Sequence, residues 1–402
     1  MKLHLATIKR FRAIDEVTLT FDDMLGDVRP ITVLAGPNGC GKTSAIFAIV
    51  QTLRGVMGYR TADVPPPSEL DIHRKVTSTG LAAQPTSTSV TLKIEFEPCE
   101  RSAIPQVLQD TEQPMEDEEI EGGAQQKTKP PVPQEHEIPD GRVEVTWAYP
   151  PDRRRDGTQR PSWMLREVVP YAALAWFRGR KRAIRGWIDG KLSKPELIDQ
   201  IGGIWLFPQD RNLDERVVGG TTSGGSGRGP SGVDLEEETG GIYDAPELKS
   251  VWGILERLSS EARYRREEHG EDRSSEKQIQ DIFHRVCAPK EYLGFRYPNG
   301  GATGAPYFKD GDSVYPLHQA ASGEQVIIEY ITRLMYPTPL NHSLILIDEP
   351  EVHLHPGWVR QVYRALPHIG IGNQYILTTH SPDLRAMASE GGSLVDLGDL
   401  QT

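Results

Sequence analysis

Apolar residues recur along this chain in two periods, and the periods divide it into elements. Over residues 2 to 21 apolar and polar positions alternate, which predicts two strands, Leu3 to Ile8 and Val17 to Phe21, with Phe11-Arg12 at the bend. Ile31-Thr32-Val33-Leu34-Ala35 is apolar and rich in β-branched residues, as a buried strand is, and Ser44 to Leu53 reads as a helix. Val90, Leu92, Ile94 and Phe96 alternate again, and Arg142 to Tyr149 resumes the same rhythm and is expected to pair with residues 90 to 96. Gly203 to Phe207 is a further buried strand. Helical spacing of three and four returns at Leu248, Val251, Trp252, Leu255 and Leu258, with Pro246 at the expected helix start. It recurs at Ile279, Ile282, Phe283 and Val286, and from Val326 to Met335. Short strand-like pieces fill residues 293 to 316. Two more apolar strands, Ser343 to Ile347 and a run ending in Leu377-Thr378-Thr379, complete the pattern.

Between these elements the pattern fails in three places. Residues 55 to 85 are irregular and contain Pro65-Pro66-Pro67. From about Gln109 to Pro139 the composition collapses into Glu, Asp, Gln, Lys and Pro, with too little apolar surface to fold. Residues 218 to 241 are a Gly/Ser-rich linker. The charged run from Arg263 to Glu276 is too short for an extended coiled coil, and no internal repeat is visible. The expected organisation is a first core segment over 1–100, an acidic disordered loop over 101–141, the rest of the core sheet with an inserted helical lobe over 142–320, and a second core segment over 321–402.

Composition narrows the class without naming it. The 402 residues are 37% apolar and 25% charged, ordinary for a globular protein, and no apolar run is long enough to span a bilayer. The first residues lack the apolar core of a secretory signal. The three cysteines, Cys40, Cys99 and Cys287, stand far apart without metal spacing, which suits a reducing cytoplasm. A net charge of −12 argues against a protein that coats nucleic acid over its whole surface. One stretch departs from that average. From Arg153 to Trp187, Arg153-Arg154-Arg155, Arg178, Arg180, Lys181, Arg182 and Arg185 interleave with Trp163, Trp176, Phe177 and Trp187. Such a stretch fits nucleic-acid contact, contact with a partner protein, or a solvated surface with a few core aromatics.

The candidate chemistry starts at Gly36-Pro37-Asn38-Gly39-Cys40-Gly41-Lys42-Thr43, a G-x-x-x-x-G-K-[ST] loop between a predicted strand and a predicted helix. Its glycines let successive N–H groups converge on one anion at a helix start. Lys42 is expected to reach the β- and γ-phosphates, and Thr43 to supply a hydroxyl to Mg²⁺. The loop from Gly36 to Thr43 and the adjoining Ser44 are the expected nucleotide contacts. Cys40 is read there as a small filler. At the end of the 343–347 strand, Asp348 is placed to face the Mg²⁺ and Glu349 to hold an attacking water as general base. His380, ending the next strand, is placed to touch the γ-phosphate. Ser322-Gly323-Glu324-Gln325 opens a helix with Ser322 as its N-cap, which is either a plain cap or a second phosphate site.

As a set and in this order, Gly36 to Thr43, Ser322 to Gln325, Leu344 to Glu349 and Thr379-His380 resemble the Walker A, signature, Walker B and H-switch motifs of ABC-type P-loop ATPases. Phe11-Arg12 and the run from Asp348 to Pro356 resemble the RecF/SMC/OLD-like branch, and the Thr379-His380-Ser381-Pro382 ending resembles its bacterial anti-phage defence members. The resemblance implies an α/β ATPase head with an inserted helical lobe, without a long coiled coil or a Toprim domain. It implies ATP and Mg²⁺ as ligands and Gln209 as the Q-loop glutamine, touching both nucleotide and metal. It also implies two heads meeting head to tail, with Ser322, Gly323 and Glu324 serving the nucleotide of the opposite head. The expected function is a cytoplasmic ATPase sensor or scaffold that assembles as a homodimer or larger oligomer, with no membrane association. It would control a separate effector, a nuclease or toxin carried by another chain. A RecF-like DNA-repair clamp and an ATP-binding scaffold with little turnover are the competing readings.

Overall fold

The computed structural model describes residues 1–57, 88–110, 132–133, 135–138, 140–149, 164–188, 194, 197–207, 251–269, 275–297, 304–335, 340–352 and 354–400. Its strands are β1 (Lys2–Phe11), β2 (Ile14–Thr20), β3 (Ile31–Ala35), β4 (Thr88–Glu95), β5 (Arg142–Tyr149), β6 (Met164–Val169), β7 (Ile204–Phe207), β8 (Glu291–Arg296), β9 (Ala305–Asp310), β10 (Ser313–Pro316), β11 (Leu344–Ile347), β12 (Gln374–Thr379) and β13 (Leu394–Asp396).

The uninterrupted apolar runs form one parallel sheet in the order β13-β3-β12-β11-β7. Every residue of β3, β11 and β12 is buried, because helices or a second sheet cover both faces of a parallel sheet. Successive side chains go to opposite faces. Leu34, Leu344, Leu346 and Ile376 enter one apolar cluster, while Val33, Ile345, Ile347 and Leu377 enter another.

On the first face lies the Lys42–Val56 helix, buried on nearly every side. Beyond it stands an antiparallel sheet, β2-β1-β4-β5-β6. The alternation of β1, β2, β4 and β5 aims Leu3, Ile8, Val17, Leu19, Val90, Leu92 and Val145 at that helix and the cluster around it. The expected pairing of residues 90–96 with 142–149 is realised, with Leu92 opposite Val145 and Ile94 opposite Val143. Gly55 must remain glycine here, because a Cβ would lie 1.9 Å from the Trp147 ring. On the second face pack the Val251–His269, Ser275–Cys287, Ser322–Met335, Pro356–Ala365 and Pro382–Glu390 helices, through Val251, Leu255, Leu258, Ile279, Phe283, Val286, Val326 and Val362. A small sheet, β10-β9-β8, joins them. The expected helix start at Pro246 and the linker 218–241 lie outside the described residues.

Two expectations change. The segment read as an acidic disordered loop over 101–141 begins with a helix, Pro98–Asp110. Averaged composition hid its apolar face: Ala103, Ile104, Val107 and Leu108 are all buried. Likewise, part of the basic-aromatic stretch faces inward. Trp176 and Phe177 are core residues against Phe96, with ring centroids 6.0 and 4.9 Å away. Arg180, on the same Ala173–Ile188 helix, is fully buried in an ion pair with the equally buried Glu100. Arg180 is therefore an internal strut between two helices rather than a surface cation. Arg178 on that helix is exposed.

Arg180→Ala removes one of the two cations on the buried Glu100, the Met1 amino group at 2.7 Å being the other, and is expected to destabilise the fold by up to about 3–5 kcal/mol. Glu100→Gln, which leaves both Arg180 and the Met1 amino group facing a neutral amide, should cost no less. Urea unfolding of the two variants checks this; an Arg180→Ala protein within 1 kcal/mol or so of the parent would refute the strut.

Candidate functional site

Register gathers the functional residues. In the parallel sheet Ala35 pairs with Thr379, and Ile347 pairs with both Leu377 and Phe207, so the C-terminal ends of β3, β12, β11 and β7 form one edge. Ligands of open parallel sheets bind outside such an edge. The loop of residues 36–41 leaves β3 there. Gly36, Gly39 and Gly41 have φ of +152°, +82° and +95°, and a Cβ on Gly36 would lie 2.7 Å from Cys40 Sγ. Cys40 is buried and fills the space beneath the loop, as a small residue would. Pro37, Asn38 and Gly39 form its exposed rim, and Ser44 is half-buried behind it.

The Lys42 side chain folds back over this loop. Its Nζ donates to the carbonyls of Gly36 at 2.9 Å and Pro37 at 3.0 Å, and lies 3.3 Å from His380 Nδ1. An ammonium can only donate, so Nδ1 accepts and the His380 proton sits on Nε2. That nitrogen lies 2.7 Å from Glu349 Oε1. One imidazole thus spans the loop lysine and the strand-end glutamate. Burial pushes the Glu349 carboxyl above the ordinary carboxylate value, with the facing His380 pulling it back. Glu349 itself has φ +47°, a left-handed backbone unusual outside glycine. Its N–H donates to Thr378 Oγ1 at 3.0 Å, which helps to hold that conformation.

Asp348 is 4% exposed, and its Oδ1 accepts from Thr43 Oγ1 at 3.1 Å and from the Thr378 hydroxyl. A helix-start hydroxyl and a strand-end carboxylate side by side are hard oxygen donors, the set that suits Mg²⁺.

One residue of this edge was not singled out from sequence. Glu351 Oε1 accepts from Thr379 Oγ1 at 2.7 Å, His380 N at 2.6 Å and Ser381 N at 3.0 Å. It holds the turn that carries His380. Ser381 then caps the Pro382–Glu390 helix through Leu384 N. The signal was present in the spacing: Glu351 lies two residues past Glu349 in the same strand-end turn.

The second motif behaves differently. Gln325 N and Glu324 N both donate to Ala321 O, so Ala321, not Ser322, occupies the cap position of the Ser322–Met335 helix. Glu324 answers as the third residue of a capping box, its Oε2 accepting from Ala321 N at 3.0 Å. Its other oxygen takes Tyr315 OH at 3.0 Å and the Lys290 ammonium. At 1% exposure the Glu324 side chain faces into the head, where these partners hold it. Gly323 is buried, whereas Ser322 stands exposed at the helix start. Gln209 lies outside the described residues.

Known families meet this chain at both ends. The family described as "AAA domain" matches residues 6–105, and "AAA domain, putative AbiEii toxin, Type IV TA system" matches residues 257–386. Among curated proteins, the retron Vc95 probable ATPase of Vibrio cholerae serotype O1 biovar El Tor is 31% identical over 84 residues, 18% of this chain and 16% of that protein. The Septu protein PtuA of Bacillus thuringiensis is 43% identical over 56 residues, 14% of each chain. The chain thus aligns with only about a sixth or less of the length of these relatives. A solved SMC head bound to the C-terminal winged-helix domain of ScpA covers 96% of this chain and 92% of its own, at 12% identity and a TM-score of 0.47. The phosphate loop, the Thr43–Asp348 contact and the two AAA-domain matches make this chain similar to P-loop ATPase domains.

Glu351→Ala removes the acceptor of two backbone N–H groups. Bonds to a charged acceptor are worth about 1.5–3 kcal/mol each. Amide exchange at His380 and Ser381 should therefore accelerate at least about tenfold, while the interior of β12 stays protected. Unchanged exchange at both amides would show that another contact holds the His380 turn.

Proposed function

We propose that this chain binds ATP and Mg²⁺ on the edge formed by residues 36–44, Asp348, Glu349 and His380, and hydrolyses the γ-phosphate. The observation that carries the reading is the convergence on one edge of a loop lysine, a hydroxyl–carboxylate pair and a glutamate–histidine pair. Lys42 Nζ, bound to two loop carbonyls, exchanges them for phosphate oxygens with little movement of its stem. Thr43 and Asp348 hold the metal, which when bound neutralises phosphate charge. Glu349 takes the proton of the attacking water. Its raised pKa makes it a stronger base than an ordinary carboxylate once ionised. His380, with its proton on Nε2, orients Glu349 and stands next to Lys42 where the γ-phosphate would lie.

We further propose that Ser322, exposed at a helix start, completes the site of a second head placed head to tail. On this reading the chain is the ATPase subunit of an anti-phage defence system. ATP-driven closure and release of its heads control an effector carried by a separate chain. The retron and Septu relatives support the defence setting, over the short stretches they share.

Glu349→Gln should keep ATP binding and reduce turnover about 10²–10⁴-fold, since an amide cannot accept the water's proton. Lys42→Ala should instead lose binding. Nucleotide binding followed by fluorescence and phosphate release in single turnover separate the two; turnover within a few-fold of the parent in Glu349→Gln would remove Glu349 as the base.

Ser322→Arg should leave the single head able to bind ATP and abolish hydrolysis. Mixed with Lys42→Ala protein, it should regain part of the activity, because one of the two interfaces in a mixed pair is intact. Absence of recovery at every ratio, with mixed dimers shown to form by mass spectrometry, counts against shared sites. Stimulation of turnover by DNA alone would favour the DNA-clamp reading over effector control.

A further inference from the structure

Three metal-ligating side chains, Glu97, Cys99 and His342, meet far from the nucleotide edge. Glu97 follows β4, Cys99 lies in the first turn of the Pro98–Asp110 helix, and His342 sits two residues before β11. Cys99 Sγ is 3.6 Å and Glu97 Oε2 is 3.3 Å from the same ring nitrogen, His342 Nδ1, and all three ligand atoms lie within 4.8 Å of one another.

Hydrogen bonding does not account for this arrangement well. Nδ1 carries either one N–H or one lone pair, so it cannot donate to the Glu97 carboxylate and accept from the Cys99 thiol at once. The Glu97 contact, at 3.3 Å, is also longer than a good N–H···O bond of about 2.9–3.0 Å. These two edges are also those of tetrahedral coordination, the third lying within 4.8 Å. With metal–sulfur at about 2.3 Å and metal–nitrogen and metal–oxygen at about 2.0–2.1 Å, the ligand edges are ~3.6 Å for S···N and ~3.3 Å for N···O. A nucleophilic triad does not fit, because its carboxylate would have to bond the other ring nitrogen.

We propose that Glu97, Cys99 and His342 bind a divalent cation of the zinc class, with a fourth position left to water. A thiolate, an imidazole and a carboxylate together select a borderline-soft tetrahedral ion over Mg²⁺. The surroundings permit it. Glu97 and His342 are 19% and 24% exposed, so an ion can enter from solvent. Lys2 Nζ lies 3.8 Å from Glu97 Oε1, the oxygen turned away from the cluster, and is otherwise engaged by the Gly372 carbonyl. The Met1 amino group is 3.4 Å from Glu97 Oε2, but its shorter contact, 2.7 Å, is with Glu100. Gly372 leaves room for the ring, since a Cβ there would lie 2.8 Å from Nδ1. The ion would join the end of β4, in the antiparallel sheet, to the entry of β11, in the parallel one. It would clip together the two sheets that sandwich the Lys42–Val56 helix.

The test uses the full-length chain, freed of metal by dialysis against a chelator and titrated with Zn²⁺ or Co²⁺ alone. A single equivalent should bind, Co²⁺ should give a thiolate-to-metal absorption band, and Zn²⁺ should raise the thermal unfolding midpoint. Cys99→Ser should lose the band, whereas Cys287→Ser should keep it. Glu97→Gln and His342→Ala, with native circular dichroism, should weaken Zn²⁺ binding by no less than the ~10–100-fold typical of an outer-shell change. Lys42→Ala should leave the metal site intact, which separates this site from the nucleotide edge. No stoichiometric binding by the parent, or equal binding and an equal band in Cys99→Ser, would overturn the proposal and leave a shared proton as the only occupant.

Discussion

A single carboxylate oxygen organises the edge on which the candidate site is arranged. Asp348 Oδ1 is buried and accepts from Thr43, at the start of the central helix, and from Thr378, in the neighbouring strand. A charge at that depth is tolerated only when donors surround it. The two hydroxyls meet that need, and in doing so they fix the height of the phosphate loop relative to β11 and β12. Thr378 also receives the N–H of Glu349, so one threonine sets both acidic residues. The edge is a small polar network inside an apolar sandwich, and each member has a defined partner among the described residues.

Strain and support are paired around that network. Glu349 sits in a left-handed conformation that costs on the order of 1–3 kcal/mol for an ordinary residue. The cost is borne because three elements converge on it: Thr378 on its amide, His380 on its carboxylate, and Glu351 on the turn bearing His380. A glutamate held this way points at a fixed place instead of sampling rotamers. Preorganisation of this kind, more than any single charge, is what the proposed phosphoryl transfer would need.

The same logic of polar struts recurs away from that edge. Glu324 turns inward to Lys290 and Tyr315 and anchors the helix that presents Ser322. Arg180 and Glu100 bridge two helices beside the antiparallel sheet. In both cases a charged residue that looks exposed by type is buried by context, and its partner lies tens of residues away.

Much of the fold was legible in the residues themselves. Alternation over 2–21, 88–96 and 142–149 marked four of the five antiparallel strands, and the apolar runs at 31–35, 204–207, 344–347 and the one ending at Thr379 marked four of the five parallel ones, because strand period and burial are local properties, while β6 and β13 were not read from sequence. The spacing of glycines, Lys42 and Thr43 determined the phosphate loop for the same reason. A helix such as Pro98–Asp110 escaped because its four apolar residues are diluted by the acidic tract that follows. What only the tertiary structure decided are contacts between residues hundreds of positions apart. Lys42 meets His380 across 338 positions, Thr43 meets Asp348 across 305, and Cys99 meets His342 across 243. The inward turn of Glu324 has no local signature, and the spacing of Glu351 from Glu349 marks its place but not the three groups it grips. They depend on strand order in the sheet and on which rotamer finds a partner, and neither is encoded within one element. The chain therefore specifies its elements and its phosphate loop residue by residue, while the pairing of its charges is settled only when the sheets close around the central helix.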